Sequence, residues 1–354
     1  MSKLAKALSA ASGNSSVSSL YVEDVFSTFL FTGNGSDQSI DNGIDIAGKG
    51  GLVWTKSRST ASSNELFDTE RGVNEVLYSD GTNDSDTLSN SLKAFNSNGF
   101  TMGNNLAANV SSRTGVSWSF RKAEKFFDVQ TWTGNSTAGR TIAHNLGSVP
   151  AVIITKQTNT SGAWWTVYHK NSPNSVGWLN ETNAFDGNNM QDYYGNGSSA
   201  VTPTSSVFTV SDSANVNGSG ATYIAYLFAS DAGGFGEDED ENIIKCGSYT
   251  TDSSGNATVN LGFEPQWILS KRTNATGAWY IRDVMRGMPV GGNNAILSPN
   301  TSGAEGSSSF ALRPSSTGFT AFNDFAAQTN VYIAIRRPMK TPEAGTEVFA
   351  SQNP

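Results

Sequence analysis

One short pattern occurs three times in this chain of 354 residues and limits its possible folds more than any other feature. In each copy an apolar segment ends in a hydroxyl residue followed by a lysine: LVWTKSR at 52–58, VIITKQT at 152–158 and WILSKRT at 267–273. A glycine-containing segment precedes each copy, namely GKGG, LGSVP and LGFEP. Because a repeated motif marks a repeated folding unit, the sequence predicts three modules of roughly 100–120 residues.

Markers outside the lysine motif keep a common spacing. Three pairs of positions in the first and third copies are each 215 residues apart: Lys56 and Lys271, Arg71 and Arg286, Trp118 and Ile333. The middle copy has diverged further, since YHKNS stands where the others have DTERG and DVMRG. The spacings predict a leader at 1–21, module 1 at 22–125, module 2 at 126–236, an acidic linker at 237–242, module 3 at 243–340 and a tail at 341–354.

The composition favours strands and turns over helical bundles. Charged residues make up 15% of the chain, where about a quarter is usual, and Gly, Ser, Thr and Asn cover much of the surface. In TYIAYLF (222–228) both alternating faces are apolar, so this strand should be buried on both sides, in a sandwich or at a contact between subunits. We expect an all-β fold of three tandem antiparallel β-sandwich modules, jelly-roll or lectin-like, behind a short N-terminal anchoring segment.

Several functional classes are excluded or disfavoured by charge and pattern. The net charge is −8 and no basic stripe is present, which argues against nucleic-acid binding. No apolar run approaches the length of a membrane span, so membrane insertion is not expected. The leader can form a helix over residues 1–13, but it lacks the apolar stretch of a signal peptide. The single cysteine, Cys246, cannot form an intrachain disulfide and is expected to be buried.

Catalytic and metal-binding patterns are weak. His144 and His169 lie in different parts of module 2, and neither belongs to a Ser-His-Asp, Cys-His, HExxH or CxxC arrangement. The acidic run Glu237–Glu241 could chelate calcium, but its spacing matches no known calcium loop, and a solvated linker that keeps the modules apart is the favoured interpretation. We predict neither enzyme activity nor a cofactor or metal.

Charged residues recur at fixed places in the modules, and we expect them to be structural. A ligand site is usually kept in one copy, whereas recurrence in several copies favours architecture. The expected arrangement is a set of internal ion pairs that tie a loop to the sheet, at Lys56, Asp68, Arg71, Lys156, Lys271, Asp283 and Arg286.

Aromatic residues crowd module 2 and recur in part in module 3. Aromatic rings beside polar groups offer a platform for the apolar faces of sugars. The candidate glycan-binding residues are Trp164, Trp165, Tyr168, Tyr193, Tyr194 and Trp279. The alternative is that these rings form core on one side and an oligomer contact on the other.

Taken together, these phrases resemble the tail-fibre repeat family of marine bacteriophage virion proteins. The resemblance is carried by MSKLAKALSAASGN, YVEDVFSTFLFTGNG, LFDTERG, WSFRKAEKFFDV, IIKCGSYT, LGFEPQWILSKR, MRGMPVGG and YIAIRRP, and it covers nearly the whole chain. It implies a virion location, in the tail or on the outer surface, with assembly in the host cytoplasm. It brings no catalytic residues.

The resemblance also implies partners. We expect the N-terminal segment to dock onto other virion proteins, the modules to form a shaft or head, and copies to associate as a homotrimer that engages a host surface glycan. The favoured function is a tail fibre or spike for host attachment. Alternatives are a capsid decoration or head-fibre protein, and a glycan-binding lectin-like module.

Overall fold

The computed structural model describes residues 19–185 and 187–341. The expected leader helix and nearly all of the expected tail lie outside these residues. Within them the chain is built from 25 short strands, with two one-turn helices, α1 (Ile46–Lys49) and α2 (Ala214–Asn217). Three 3₁₀ turns span Val22–Asp24, Ala107–Asn109 and Met190–Asp192.

The strands fall into three groups that match the three modules. Module 1 contains β1 Phe26–Thr32, β2 Gln38–Asp41, β3 Gly51–Ser57, β4 Glu65–Asp68, β5 Glu75–Tyr78, β6 Asp86–Thr87, β7 Leu92–Asn96, β8 Gly99–Met102 and β9 Thr114–Arg121. Module 2 contains β10 Phe127–Thr133, β11 Arg140–Ala143, β12 Val152–Gln157, β13 Thr166–His169, β14 Gly177–Trp178, β15 Val207–Val210 and β16 Thr222–Phe228. Module 3 contains β17 Ile244–Thr250, β18 Ala257–Asn260, β19 Pro265–Arg272, β20 Trp279–Asp283, β21 Asn294–Ile296, β22 Gly306–Ser308, β23 Ala311–Ser315, β24 Gly318–Phe322 and β25 Thr329–Arg336.

Each module repeats one antiparallel topology. The main sheet has the order β1-β9-β3-β4-β5-β6 in module 1, β10-β16-β12-β13-β14 in module 2 and β17-β25-β19-β20 in module 3. A smaller sheet accompanies it, formed by β2-β8-β7, by β11-β15 and by β18-β24-β23. The prediction of all-β modules with antiparallel, sandwich-like sheets is confirmed.

The strand registers place the three repeated lysines at one equivalent position. Each lysine sits opposite an apolar residue of the module's last strand: Lys56 opposite Val116, Lys156 opposite Ile224, and Lys271 opposite Val331. Because side chains alternate across a strand, a slip of one residue would turn the lysine to the other face of the sheet. The equivalence is therefore one of position and of direction.

The main sheets of all three modules share a single apolar core. Phe120 of module 1 packs against Phe127 and Phe228 of module 2, with ring centroids 5.4 and 5.8 Å apart, and against Trp267 of module 3 at 5.6 Å. Edge-to-face and tilted packing of this kind is favourable for aromatic rings. Modules 1 and 3 each have a further apolar cluster between their own two sheets. The modules therefore form one body with a common centre.

Strand β16 shows how this arrangement covers a strand that is apolar on both faces. Tyr226 and Phe228 point toward the neighbouring modules, where they contact Asp68 and Phe120. Tyr223, on the other face, stacks on Trp132 of its own module at 5.3 Å. A single chain thus buries both faces, so this strand does not require a contact between subunits. Association of copies stays a prediction.

The acidic segment between modules 2 and 3 does not act as a spacer. It folds back on itself, with the Glu241 N–H donating to Phe235 O at 3.0 Å, and Glu241 forms an ion pair with Arg336. The Gly236 N–H donates to Leu20 O at 2.8 Å, so the segment also contacts the start of module 1. Much of the segment is exposed to solvent, as expected, but the shared core already holds the modules together and leaves the segment no role in keeping them apart.

A shared core predicts that no module folds alone. A fragment of residues 126–236 would expose Phe127 and Phe228, and exposing a buried side chain of this size costs about 1.5–3 kcal/mol. We expect the fragment to give a poorly dispersed NMR spectrum, and the whole chain to unfold in one calorimetric transition with equal van't Hoff and calorimetric enthalpies. A well-dispersed fragment spectrum together with three separable transitions in the whole chain would contradict a common core.

Candidate functional site

The repeated lysines join one module to the next. The Lys156 ammonium donates to Ala163 O of its own loop at 2.8 Å and to Thr82 O of module 1 at 3.1 Å. Thr82 O also accepts the Gly162 N–H at 2.9 Å. One carbonyl of module 1 is therefore held by a side chain and a backbone group of module 2.

The same contact occurs at the other two interfaces. In module 3, Lys271 donates to its own Gly277 O at 2.7 Å and to Thr182 O of module 2 at 3.1 Å. In module 1, Lys56 donates to its own Ser62 O, and to Ser302 O of module 3 at 2.9 Å. Module 2 thus holds module 1, module 3 holds module 2, and module 1 holds module 3. We call this closed arrangement the ring.

A second side-chain contact follows the same direction. Trp165 of module 2 donates its indole N–H to Tyr78 O of module 1 at 2.9 Å, and Trp279 of module 3 donates to Trp178 O of module 2 at 2.8 Å. Module 1 has Asn64 at this position, and its amide donates to carbonyls of module 3: Ser298 O at 3.2 Å and Thr301 O at 3.0 Å. A donor is thus kept at each interface, although the residue type changes.

Backbone hydrogen bonds complete each interface. A further N–H of one module donates to a carbonyl of the next, at 2.8–2.9 Å: Ser85 to Thr158, Phe185 to Thr273, and Glu305 to Arg58. Since every interface carries these equivalent bonds, the ring has an approximate threefold symmetry within one chain.

Buried Asp–Arg pairs lie at two of the interfaces. Asp68 pairs with Arg71 at 2.6 Å and accepts the Tyr226 hydroxyl of module 2 at 2.9 Å. Burial, together with the Asp68 carboxylate, raises the pKa of Tyr226 well above its ordinary value, so the hydroxyl keeps its proton and donates. Asp283 likewise pairs with Arg286 at 2.6 Å and accepts the Trp118 indole N–H of module 1 at 3.1 Å.

The third interface has changed both partners together. His169 replaces the aspartate, Ile333 replaces the aromatic donor, and the His169 Nε2 lies 3.3 Å from Tyr332 O. Because Nδ1 accepts the Asn171 N–H at 3.1 Å, Nε2 carries the proton and donates. Burial lowers the pKa of His169 to about 4, so the imidazole of His169 is neutral at physiological pH. At this interface a neutral imidazole donates to a backbone carbonyl, whereas at the other two an aspartate carboxylate accepts from an aromatic side chain.

The three lysines do not form the ion pairs expected from the sequence. Their side chains are 0–1% exposed, and in the described part of the chain no carboxylate pairs with them. Burial lowers the pKa of each of them to about 8. The ammonium groups instead donate to carbonyl oxygens, which satisfies them without a second buried charge.

The structure separates the six candidate glycan-binding residues. Trp165, Tyr168, Tyr194 and Trp279 are buried, so they cannot present a face to a sugar, and their proposed role is corrected. Trp165 and Trp279 anchor module interfaces, and the Tyr194 hydroxyl donates to Thr155 Oγ1 at 2.8 Å.

Two candidates remain at the surface. Trp164 is 41% exposed and packs on Trp178, with ring centroids 4.9 Å apart, and half-buried Tyr193 packs edge-on against Trp178 at 5.2 Å. Beside Trp164 lies a shallow, open groove whose polar groups include Gln157 and Asn215. Of the predicted sugar-binding surface, only the indole of Trp164 is well exposed.

The described residues offer no assembled metal site. Within residues 19–185 and 187–341, no three His, Cys, Asp or Glu side chains come together in a way that could hold a metal ion. In the same residues no helix is long and apolar enough to cross a membrane.

Sequence reasoning missed the loops that receive the lysines. These loops, YSDGT at 78–82, WLNET at 178–182 and SPNTS at 298–302, share one signal, an Asp or Asn at the third position. Its side chain accepts a backbone N–H at the start of the module's fourth strand or one residue before it: Asp80 from Asn64, Asn180 from Trp165, and Asn300 from Trp279.

A known family covers the whole ring. Residues 22–331 match the model of a domain of unknown function, DUF7483. The chain belongs to this family. The match extends over all three modules, so the DUF7483 family corresponds to the ring and not to one repeat. No curated protein matches the chain.

The lowered pKa of the lysines predicts a specific pH dependence. Between pH 8 and about 10 the unfolded chain binds more lysine protons than the folded chain, so the free energy of unfolding rises with pH. Replacing Lys156 with Met removes one such group. We expect K156M to gain about 1–2 kcal/mol less than the wild type between pH 8 and 9.5, measured by urea unfolding.

The control is Lys49→Met, because Lys49 is exposed and lies away from the interfaces. K49M should follow the wild-type curve. Parallel pH curves for K156M and the wild type would show that Lys156 titrates alike in both states.

The contact between Tyr226 and Asp68 predicts coupling between modules 1 and 2. Tyr226→Phe leaves the buried carboxylate without its donor from module 2, and we expect a loss of about 1–3 kcal/mol. In a double-mutant cycle with Asp68→Asn, the combined loss should be smaller than the sum of the single losses. Additive losses would mean that this hydrogen bond does not stabilise the interface.

Proposed function

We propose that this protein is a structural component of a bacteriophage virion, part of a tail fibre or spike that attaches the particle to its host. The resemblance of its motifs supports this proposal. The buried polar groups support it as well, because the buried lysines and the Asp–Arg pairs form contacts between modules. Such an interior suits a building block better than a catalyst.

The observation that carries the proposal is the closed ring. Three similar modules around a common centre present similar outer surfaces in three directions, which suits a position on a symmetric appendage. The start and end of the described chain also meet, since the Glu23 carboxylate accepts the N–H groups of Met339 and Lys340 at 3.1 and 2.6 Å. In this proposal residues 1–18, outside the described residues, dock onto other virion proteins.

A capsid decoration or head-fibre protein is the second candidate. It is favoured by one specific feature, namely that the modules share a core and do not extend in series as a shaft. A compact ring fits a position on the shell as readily as one at the end of a fibre.

The location on the particle can be tested with an epitope tag inserted between Gly291 and Gly292. Val290 beside them is 77% exposed, and neither glycine has a neighbouring atom within 4 Å of an added Cβ, so the insertion should leave the ring intact. We expect gold-labelled antibody to mark the tail or its appendages. Label over the shell would favour the decoration candidate, and tagged virions without label would contradict both.

A deletion of residues 1–18 tests the docking role of the leader. The truncated protein should keep its melting temperature, because the ring begins after this segment, but it should be absent from purified particles. Incorporation at the wild-type level would show that attachment lies in the modules.

A further inference from the structure

Module 3 contains a pocket lined by its own residues alone, including Lys271 and Gly277 at the interface with module 2. It has a volume of about 260 Å³, and its lining includes Arg272, Tyr280, Phe310, Phe325 and Asn330. Pockets for drug-sized ligands measure roughly 300–1,000 Å³, so this one suits a smaller molecule.

A buried arginine lies next to this pocket. Arg282 is 0% exposed, and in residues 19–185 and 187–341 no carboxylate forms an ion pair with it. Its two hydrogen bonds, to Ser270 Oγ and Phe310 O, are both long at 3.3 Å, and its Nε has no partner. Ser270 and Phe310 both line the pocket, so Arg282 stands immediately behind the pocket wall.

The other modules have no charge at this position. The equivalent residues face the same position of the central strand: Arg282 opposite Ile268, Phe67 opposite Val53, and Tyr168 opposite Ile153. In modules 1 and 2 the space between the sheets is thus filled by an aromatic ring. The Arg282 guanidinium packs over the rings of Tyr280 and Phe310, with its Cζ 5.0 and 4.5 Å from the ring centres. Because a buried charge without an ion-pair partner is still costly, its presence in module 3 alone calls for a functional reason.

The pocket combines positive charge with aromatic faces. Arg272 lies over the exposed ring of Phe325, with its Cζ 4.3 Å from the ring centre. Lys271 also lines the pocket, whereas Asp324 is the single carboxylate in the lining. Two cationic residues in the lining, with Arg282 behind it, against one carboxylate favour a negatively charged ligand, in a protein whose net charge is −8.

The remaining lining groups fit a sugar. The rings of Tyr280, Phe310 and Phe325 can pack against C–H faces, and the Asn330 amide and Asp324 carboxylate can exchange hydrogen bonds with hydroxyl groups. We propose that this pocket binds an acidic monosaccharide unit of the hexuronate class, with its carboxylate drawn to Arg272 and, through the pocket wall, to Arg282. The inference stands on the pocket alone and does not depend on the virion assignment.

The test is calorimetric titration of the full chain with methyl β-glucuronide and with the neutral methyl β-glucoside. These ligands differ only in the carboxylate, so we expect the glucuronide to bind on the order of tenfold more tightly at low salt and to lose this advantage at high salt. Equal affinity for the two sugars, or no binding of either, would overturn the proposal. So would inorganic phosphate binding as tightly as the glucuronide.

Two variants and one control locate the binding. Arg282→Phe introduces the residue that module 1 has at this place and should abolish glucuronide binding with the fold retained. Arg272→Gln, at the half-buried pocket rim, should weaken binding at least about tenfold, and it carries the test if R282F does not fold. Trp164→Ala, in the groove of module 2, should leave binding unchanged. Full binding by R272Q, or loss in W164A alone, would refute the assignment to module 3.

Discussion

Three buried ammonium groups, each donating to a carbonyl of the neighbouring module, hold this structure in its closed form. Burying a lysine ammonium is unfavourable, and this penalty lowers the pKa of each lysine to about 8. The penalty is tolerated because the carbonyls accept the charge and because leaving them unpaired would itself be costly. Other interface contacts vary in residue type from one module to the next, whereas the lysine does not vary.

These lysine contacts explain why the modules close into a ring and do not extend in series. Each lysine lies at the end of a central strand that also lines the common core, so the polar contact and the apolar packing fix the same orientation between modules. Phe120 of module 1 touches both other modules, which places the aromatic centre within the closure made by the lysines. Loss of one interface should therefore weaken the other two.

The sequence predicted the all-β modules and the recurrence of the lysines at one position, because these depend on local pattern and on spacing, but it assigned to the lysines ion pairs that they do not form. It could not predict the acceptors, because a backbone carbonyl can be supplied by any residue. The loops of Thr82, Thr182 and Ser302 share an Asp or Asn, but that residue does not identify the carbonyl that accepts the lysine. The prediction that the aromatic residues form a glycan-binding surface was wrong for most of them, for a related reason. Trp164 and Trp165 are chemically identical neighbours, and the contact of the Trp165 indole with Tyr78 O of module 1, which helps to bury it, joins residues far apart in the sequence.

Covalent linkage of the modules has a consequence for how the ring can diverge. In a homotrimer of one module every interface has the same sequence, so a change at one contact is made at all three. In a fused ring each interface can change alone, and the pairing of His169 with the Tyr332 carbonyl, where the other interfaces keep an aspartate and an aromatic donor, is such a change. The interior of a single module can change alone as well, since Arg282 places a charge between the sheets of module 3 while the other two modules keep aromatic rings there. A ring of three similar units can thereby hold its shape with shared contacts and still give one unit a binding pocket of its own.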